Sequence, residues 1–140
     1  MKIAVVYWSS TGNTEAMAQA VVEGAKHAGA EAELFTAAEF GGAKMDEFDA
    51  VAFGCPAMGA EELEDGEFAP MFETCESKLS GKKIALFGSY GWGDGEWMRT
   101  WEDDCRANGM KLVCDSVICC EAPDDEAVEN CRKLGAELAK

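Results

Sequence analysis

The chain is predicted to fold as an α/β protein, a parallel sheet with helices on both faces, and three observations carry that expectation. Short apolar runs alternate along the 140 residues with segments whose apolar positions recur at helical spacing. The first run, Ile3-Ala4-Val5-Val6-Tyr7-Trp8, leads directly into Ser9-Ser10-Thr11-Gly12-Asn13-Thr14 and then into an amphipathic helix. Two later runs, 49–54 and 82–88, are apolar almost throughout, as strands covered on both faces are. Right-handed crossovers between parallel strands then leave few topologies.

Taken in order, Met17, Val21 and Ala28 mark the first helix, and 31–36 reads as the second strand. Gly41 and Gly42 interrupt 37–48, so no regular helix is expected there. The third strand, 49–54, is followed by a helix face of Phe68, Met71, Phe72, Cys75 and Leu79. The fourth strand, 82–88, precedes a helix marked by Trp97, Trp101 and Cys105. A single fifth strand is expected over 110–119, then a closing helix with Ala127, Cys131, Leu134 and Leu138 inward. Ligands of such sheets bind beyond the carboxyl ends of the strands. Loops 9–14, 55–66, 89–95 and 120–125 should therefore gather at one edge, while Lys2, Lys82, Lys83 and Lys111, which precede strands, fall at the other.

No linker, repeat or low-complexity run divides the sequence, so residues 1–140 are expected to form one domain. A membrane-spanning run and a secretion signal are both missing, which points to the cytoplasm and no membrane partner. Seven cysteines, odd in number and without a C-x-x-C pair, read as buried free thiols. They and the lone His27 give no metal-ligand spacing, so no metal is expected. A net charge of −15 excludes nucleic acid as a partner. The acids cluster: Glu61, Glu62, Glu64, Asp65 and Glu67 lie in one loop, and Asp94, Glu96, Glu121, Asp124 and Asp125 in later loops of the same edge.

Loop 9–14 reads as a phosphate cradle, since a helix N-terminus with unpaired N–H groups is supplemented by four hydroxyls and a glycine. No lysine or arginine lies between Trp8 and Lys26, which excludes a nucleotide-hydrolysing phosphate loop, and a single glycine excludes the dinucleotide fingerprint. What fits is one terminal phosphate held by neutral donors. An ordinary serine/threonine helix cap is the competing reading. Loop 88–95, Gly88-Ser89-Tyr90-Gly91-Trp92-Gly93-Asp94-Gly95, surrounds an indole with four glycines, an arrangement that lets backbone approach a flat ligand while the indole covers its face. Trp92 as a core or docking anchor is the alternative. In loop 55–62, Met58 beside Gly59 can cover the other ring face or simply fill space.

Three loops together, Tyr7-Trp8-Ser9 with Thr11-Gly12-Asn13-Thr14-Glu15, Ala57-Met58-Gly59, and Phe87 through Gly93, resemble the short-chain, clostridial-type flavodoxins in the correct order, and the resemblance spans the whole chain. It implies a three-layer sandwich whose five-stranded parallel sheet has the order 2-1-3-4-5, an order that comes with the family and not from spacing. Long-chain members carry an insertion in the fifth strand, for which 110–119 leaves no room. It also implies FMN as cofactor. Ser9, Ser10, Thr11, Gly12, Asn13 and Thr14 would hold its phosphate, Trp92 would stack on one isoalloxazine face and Met58, next to Ala57, would cover the other. Gly59 would carry the peptide whose carbonyl turns toward N5 and favours the neutral semiquinone. Glu61 and the backbone around Ser89, Tyr90, Gly91 and Gly93 would meet the pyrimidine end, with Cys120 and Glu121 near the ribityl chain. Two departures stand out: Ser10 replaces a common glycine, and Ala60 follows Gly59 where several members have an acid.

The function so implied is that of a low-potential one-electron carrier, an alternative to ferredoxin and not an enzyme, working as a monomer with partners that present basic docking faces. An FMN-dependent reductase and a flavin-binding accessory module are the rival readings. Steady NAD(P)H oxidation by the isolated protein would mark the first. A phosphoacceptor receiver domain shares the sheet but needs acids where Ser9 and Cys55 stand.

Overall fold

A computed structural model describes residues 1–58, 63–91 and 95–140. In chain order the elements are β1 (Lys2–Tyr7), α1 (Asn13–His27), β2 (Glu31–Thr36), a 3-10 turn (Ala37–Glu39), α2 (Gly42–Met45), β3 (Ala50–Gly54), α3 (Phe68–Glu76), β4 (Lys83–Tyr90), α4 (Glu96–Ala107), β5 (Lys111–Leu112), β6 (Val117–Cys120) and α5 (Asp125–Leu138). The strands pair in the order β2-β1-β3-β4-β5, β6 also lies on β4, and every named pair is parallel. The implied order 2-1-3-4-5 is therefore the observed one.

Alternation along β1 divides the core into two layers. Ala4 and Val6 face a layer containing Phe53, Phe68, Phe72, Leu86, Trp97 and Trp101, under α3 and α4. Ile3 and Val5 face the other, with Met17, Val21, Cys131, Leu134 and Leu138 of α1 and α5. Both faces of β3 are buried, as its unbroken apolar run requires. On the second layer α1 and α5 cross at two glycines: a Cβ on Gly24 would lie 1.9 Å from the Arg132 carbonyl oxygen, and one on Gly135 2.1 Å from that of Val21.

Two expectations need correction. The fifth strand over 110–119 is two short strands. Leu112 pairs with Ile84 and Val117 with Phe87, so this edge uses two more residues than β4 over the same span. The surplus lies in 113–116, where Val113 and Cys114 still pack against the core and Ser116 donates a 2.6 Å hydrogen bond to the Glu102 carboxylate of α4. Ala28, read as part of the inward helix face, is exposed: α1 ends at His27 and Gly29 turns the chain with φ +96°. As expected, 37–48 forms no long helix. Lys82 donates to the carbonyls of Met45 (2.6 Å) and Phe48 (2.9 Å), binding the end of α2 to the start of β4.

Candidate functional site

Because all strands run the same way, Tyr7, Gly54, Tyr90 and Cys120 end at one edge, and Lys2, Lys83 and Lys111 begin at the other. The first loop leaves β1 while Trp8 N–H still donates to the Gly54 carbonyl (3.0 Å). Gly12 then takes a left-handed conformation, φ 93°, which sets the chain into α1, and its N–H donates to Ser9 Oγ (3.1 Å). No side chain caps this end of α1. Among the described residues its first-turn N–H groups thus have no side-chain acceptor capping them. Glu15, the acid of that turn, is occupied by the Tyr7 hydroxyl, which donates to it at 3.0 Å. Burial, with Glu15 beside it, raises the Tyr7 pKa, so the phenol stays a neutral donor.

A cleft of about 600 Å³ opens over this helix end. Ser10, Thr11 and Asn13 form one wall, Pro56, Ala57 and Met58 the second, Ser89, Tyr90 and Gly91 the third, with Glu121 and Ala122 at the mouth. Backbone hydrogen bonds hold the walls together: Ala57 N–H to the Ser89 carbonyl (3.0 Å) and Glu121 N–H to the Tyr90 carbonyl (2.7 Å). Beneath the floor, Thr14 and Ser89 are 1% and 4% exposed and share a 3.2 Å hydroxyl–hydroxyl hydrogen bond across 75 residues of sequence. Ser9 and Gly12 border an adjoining hollow of about 390 Å³, which also contains Trp8 and Ser10.

Of the sequence-predicted residues, Ser10, Thr11, Asn13, Ala57, Met58, Ser89, Tyr90 and Gly91 thus share one cleft, Ser9 and Gly12 its neighbour, and Thr14 the floor. Gly59, Ala60, Glu61, Glu62, Trp92, Gly93 and Asp94 lie outside the described residues. Pro56 and Ala122 were missed, since nothing in their side chains advertises a ligand wall. Glu121, read as part of the acidic edge and as a neighbour of the ribityl chain, is the one described non-glycine residue with positive φ, 59°, a turn usually betrayed by glycine or asparagine. Glu64, counted with the acidic surface, is instead buried at 9% exposure. Its burial acts to raise the carboxyl pKa, but N–H donation from Phe68, Glu67 and Gly66 outweighs that and holds it below the ordinary value.

Neutral hydroxyls, an amide and an uncapped helix end suit a phosphate monoester, whose charge the helix N-terminus stabilises. The wall of Ala57, Met58, Tyr90 and Gly91 suits a flat ring system. Among the described residues no cluster of His, Cys, Asp or Glu could hold a metal ion, and no helix is long and apolar enough to cross a membrane.

Comparison with known proteins agrees with this geometry. Residues 5–135 match the family model described as Flavodoxin. The chain is 43% identical to the flavodoxin of Megasphaera elsdenii over 141 aligned positions, covering 99% of this chain and 98% of that protein. It is 42% identical to the flavodoxin of Clostridium beijerinckii, covering 96% and 97%. The solution structure of two-electron reduced Megasphaera elsdenii flavodoxin superposes with a TM-score of 0.89 at 44% identity, over 98% of both chains.

Proposed function

The chain belongs to the flavodoxin family, and we propose that residues 1–140 form one FMN-binding domain that carries single electrons between oxidoreductases, in the role of a low-potential alternative to ferredoxin and not as an enzyme. One observation carries the reading: the uncapped N-terminus of α1, with its hydroxyl loop, opens into the same cleft as Met58 and the end of β4. Bound FMN supplies the one-electron chemistry there.

The chain's own residues do the binding and the tuning. Ser9 through Thr14 hold the phosphate with neutral donors, and the turning of Glu15 toward Tyr7 removes a like charge from it. Thr14 and Ser89, bonded to each other, tie the phosphate end of the cleft to its ring end. Met58 would cover one ring face and Trp92, which lies outside the described residues, the other. Gly59 and Glu61, likewise outside the described residues, would supply a carbonyl toward N5 and a partner for the pyrimidine edge, the latter together with the backbone of Ser89 through Gly91. Asp65, Glu96, Glu121, Asp124 and Asp125 are exposed around the same edge. Their field opposes further negative charge at the ring, which keeps the second potential low. It also orients the basic face of a partner toward the cleft. The protein acts as a cytoplasmic monomer.

Stepwise reduction followed by absorption spectroscopy tests this reading. A yellow protein should turn blue at half-reduction and pale on completion. A protein that takes up no FMN, or that passes directly to the two-electron form, would overturn it.

A further inference from the structure

We propose that the outer edge of β6 is a docking edge, on which an extended segment of the redox partner bearing lysine or arginine adds as a further strand beside the cleft. That the partner is a redox protein rests on the carrier reading above; the open edge itself does not.

Strand β6 pairs with β4 alone, in parallel, from Phe87↔Val117 to Tyr90↔Cys120. Just beyond it, Glu121 N–H donates to the Tyr90 carbonyl (2.7 Å). Backbone polar groups alternate sides along a strand, so those of Val117 and Cys119 also face β4, and the N–H and C=O of Ile118 and Cys120 face away from it. Among the described residues no strand lies there to receive them.

The two edges of the sheet are guarded differently. Edge strands ordinarily carry charges or proline that discourage a further strand. At the far edge, β2 has exposed Glu31 and Glu33. Val117-Ile118-Cys119-Cys120 has neither charge nor proline, and Ile118 is 38% exposed. Its side chain lies by the start of α4, where a Cβ on Gly95 would come 2.9 Å from Ile118 Cδ1. The break at 113–116 limits the open edge to the four residues of β6, so an added strand makes few hydrogen bonds. Few bonds suit a partner that must leave after each electron.

Charge and position identify the occupant. The strand runs directly into Glu121, Asp124, Asp125 and Glu126, all exposed, which outnumber the cations near it, Arg99 of α4 and Lys133 of α5. Such a border favours a cationic segment and repels an acidic one. A hollow of about 350 Å³ lined by Ile118, Cys120, Asp124 and Glu126 shares Tyr90 and Ala122 with the 600 Å³ cleft. A strand laid along β6 therefore ends at the mouth of the cleft, its backbone bonds supplying the contact and its basic side chains the orientation.

The full-length protein, with FMN and without it, tests this against a capped heptapeptide of alternating lysine and valine. Saturating peptide should slow amide exchange at Ile118 and Cys120 at least fivefold and leave Val117 and Cys119, already bonded to β4, within twofold. The same peptide methylated at every backbone nitrogen keeps its charge but cannot add as a strand, and should protect neither. Ile118→Pro removes one outward N–H without touching the pairing with β4, and should abolish the slowing at Cys120. If that variant does not fold, Ile118→Lys, which places a guarding charge on the edge, should weaken peptide binding at least fivefold. In the FMN-loaded form the unmethylated peptide should slow reduction of cytochrome c, a basic haem protein, at least threefold more than the methylated one does. Equal effects of the two peptides in either assay would overturn the proposal, since charge alone would then suffice, as would protection at Leu34 of β2 in place of Ile118, or none at either. Failure of the unaltered protein to bind FMN would sink the carrier reading alone, because exchange in the FMN-free protein still judges the edge.

Discussion

Replacing Gly12 by alanine should separate the cradle's conformation from its chemistry. Gly12 sits at φ +93° and a Cβ built on it would meet nothing within 4 Å, so the substitution introduces no clash. The cost is torsional, about 1–2 kcal/mol for a non-glycine residue in the left-handed region, less the ~0.4–1 kcal/mol that alanine gains by restricting the unfolded chain. Gly29, at the other end of α1, is an internal control: its φ is +96° and its Cβ would likewise meet nothing. Urea unfolding of the FMN-free proteins should show a smaller loss for Gly12→Ala, whose loop can relax, than for Gly29→Ala. FMN titration should show the reverse order. If FMN requires the left-handed turn, strain that the free Gly12→Ala protein relieves by relaxing reappears as lost affinity, up to about 5- to 30-fold in Kd at 1.4 kcal/mol per tenfold, whereas Gly29→Ala should stay within twofold. Equal effects of the two variants on Kd would refute the assignment of 9–14 as the phosphate cradle.

Three further outcomes are expected. Thiol alkylation of the native protein should reach exposed Cys120 first and spare Cys55, Cys105 and Cys131, whose thiols burial pushes up to about 12, while unfolding should release all seven; early labelling of a core thiol would contradict the packing. Because the Glu64 carboxyl is held below its ordinary pKa, its contribution is complete above that ordinary value and disappears as pH falls through the lowered one. The stability gap between the unaltered protein and Glu64→Gln, followed by thermal unfolding, should accordingly close on acidification, and a gap constant down to pH 2 would contradict this. Neutralising Asp65, Glu96 and Asp125 together should slow electron transfer with a basic-faced reductase at low salt and flatten its salt dependence, while neutralising Lys26 and Lys111 should do little; equal effects in stopped flow would mean that only net charge matters.

How much of this was legible in the sequence depended on whether a residue's role is set locally. The first, third and fourth strands were, because a strand buried on both faces must be apolar throughout, and the turn from β1 into α1 was, because a lone glycine among hydroxyls marks a helix start. The break in the fifth strand was not. Ser116 there meets Glu102 of another element, and the local residues Val113 through Ser116 carry no turn glycine or proline to announce a break. Nor could the sequence order of the strands yield their spatial order, since alternation alone is compatible with several windings.

The acids show most clearly where reading by composition ends. Glu64 and its neighbours look alike in sequence, and a run of carboxylates ordinarily belongs to a solvated face. In the fold they divide by their partners: Glu64 takes three backbone N–H groups, Glu67 accepts from the Trp8 indole at 3.2 Å, Glu15 from the Tyr7 hydroxyl, and Asp65 remains exposed. Trp8 precedes loop 9–14 and Glu67 immediately precedes α3, so the indole contact joins the loop after β1 to the start of α3, as the Thr14–Ser89 bond joins α1 to β4. Among the described acids Glu64 is therefore internal framework, and the field outside the cleft comes chiefly from the exposed carboxylates.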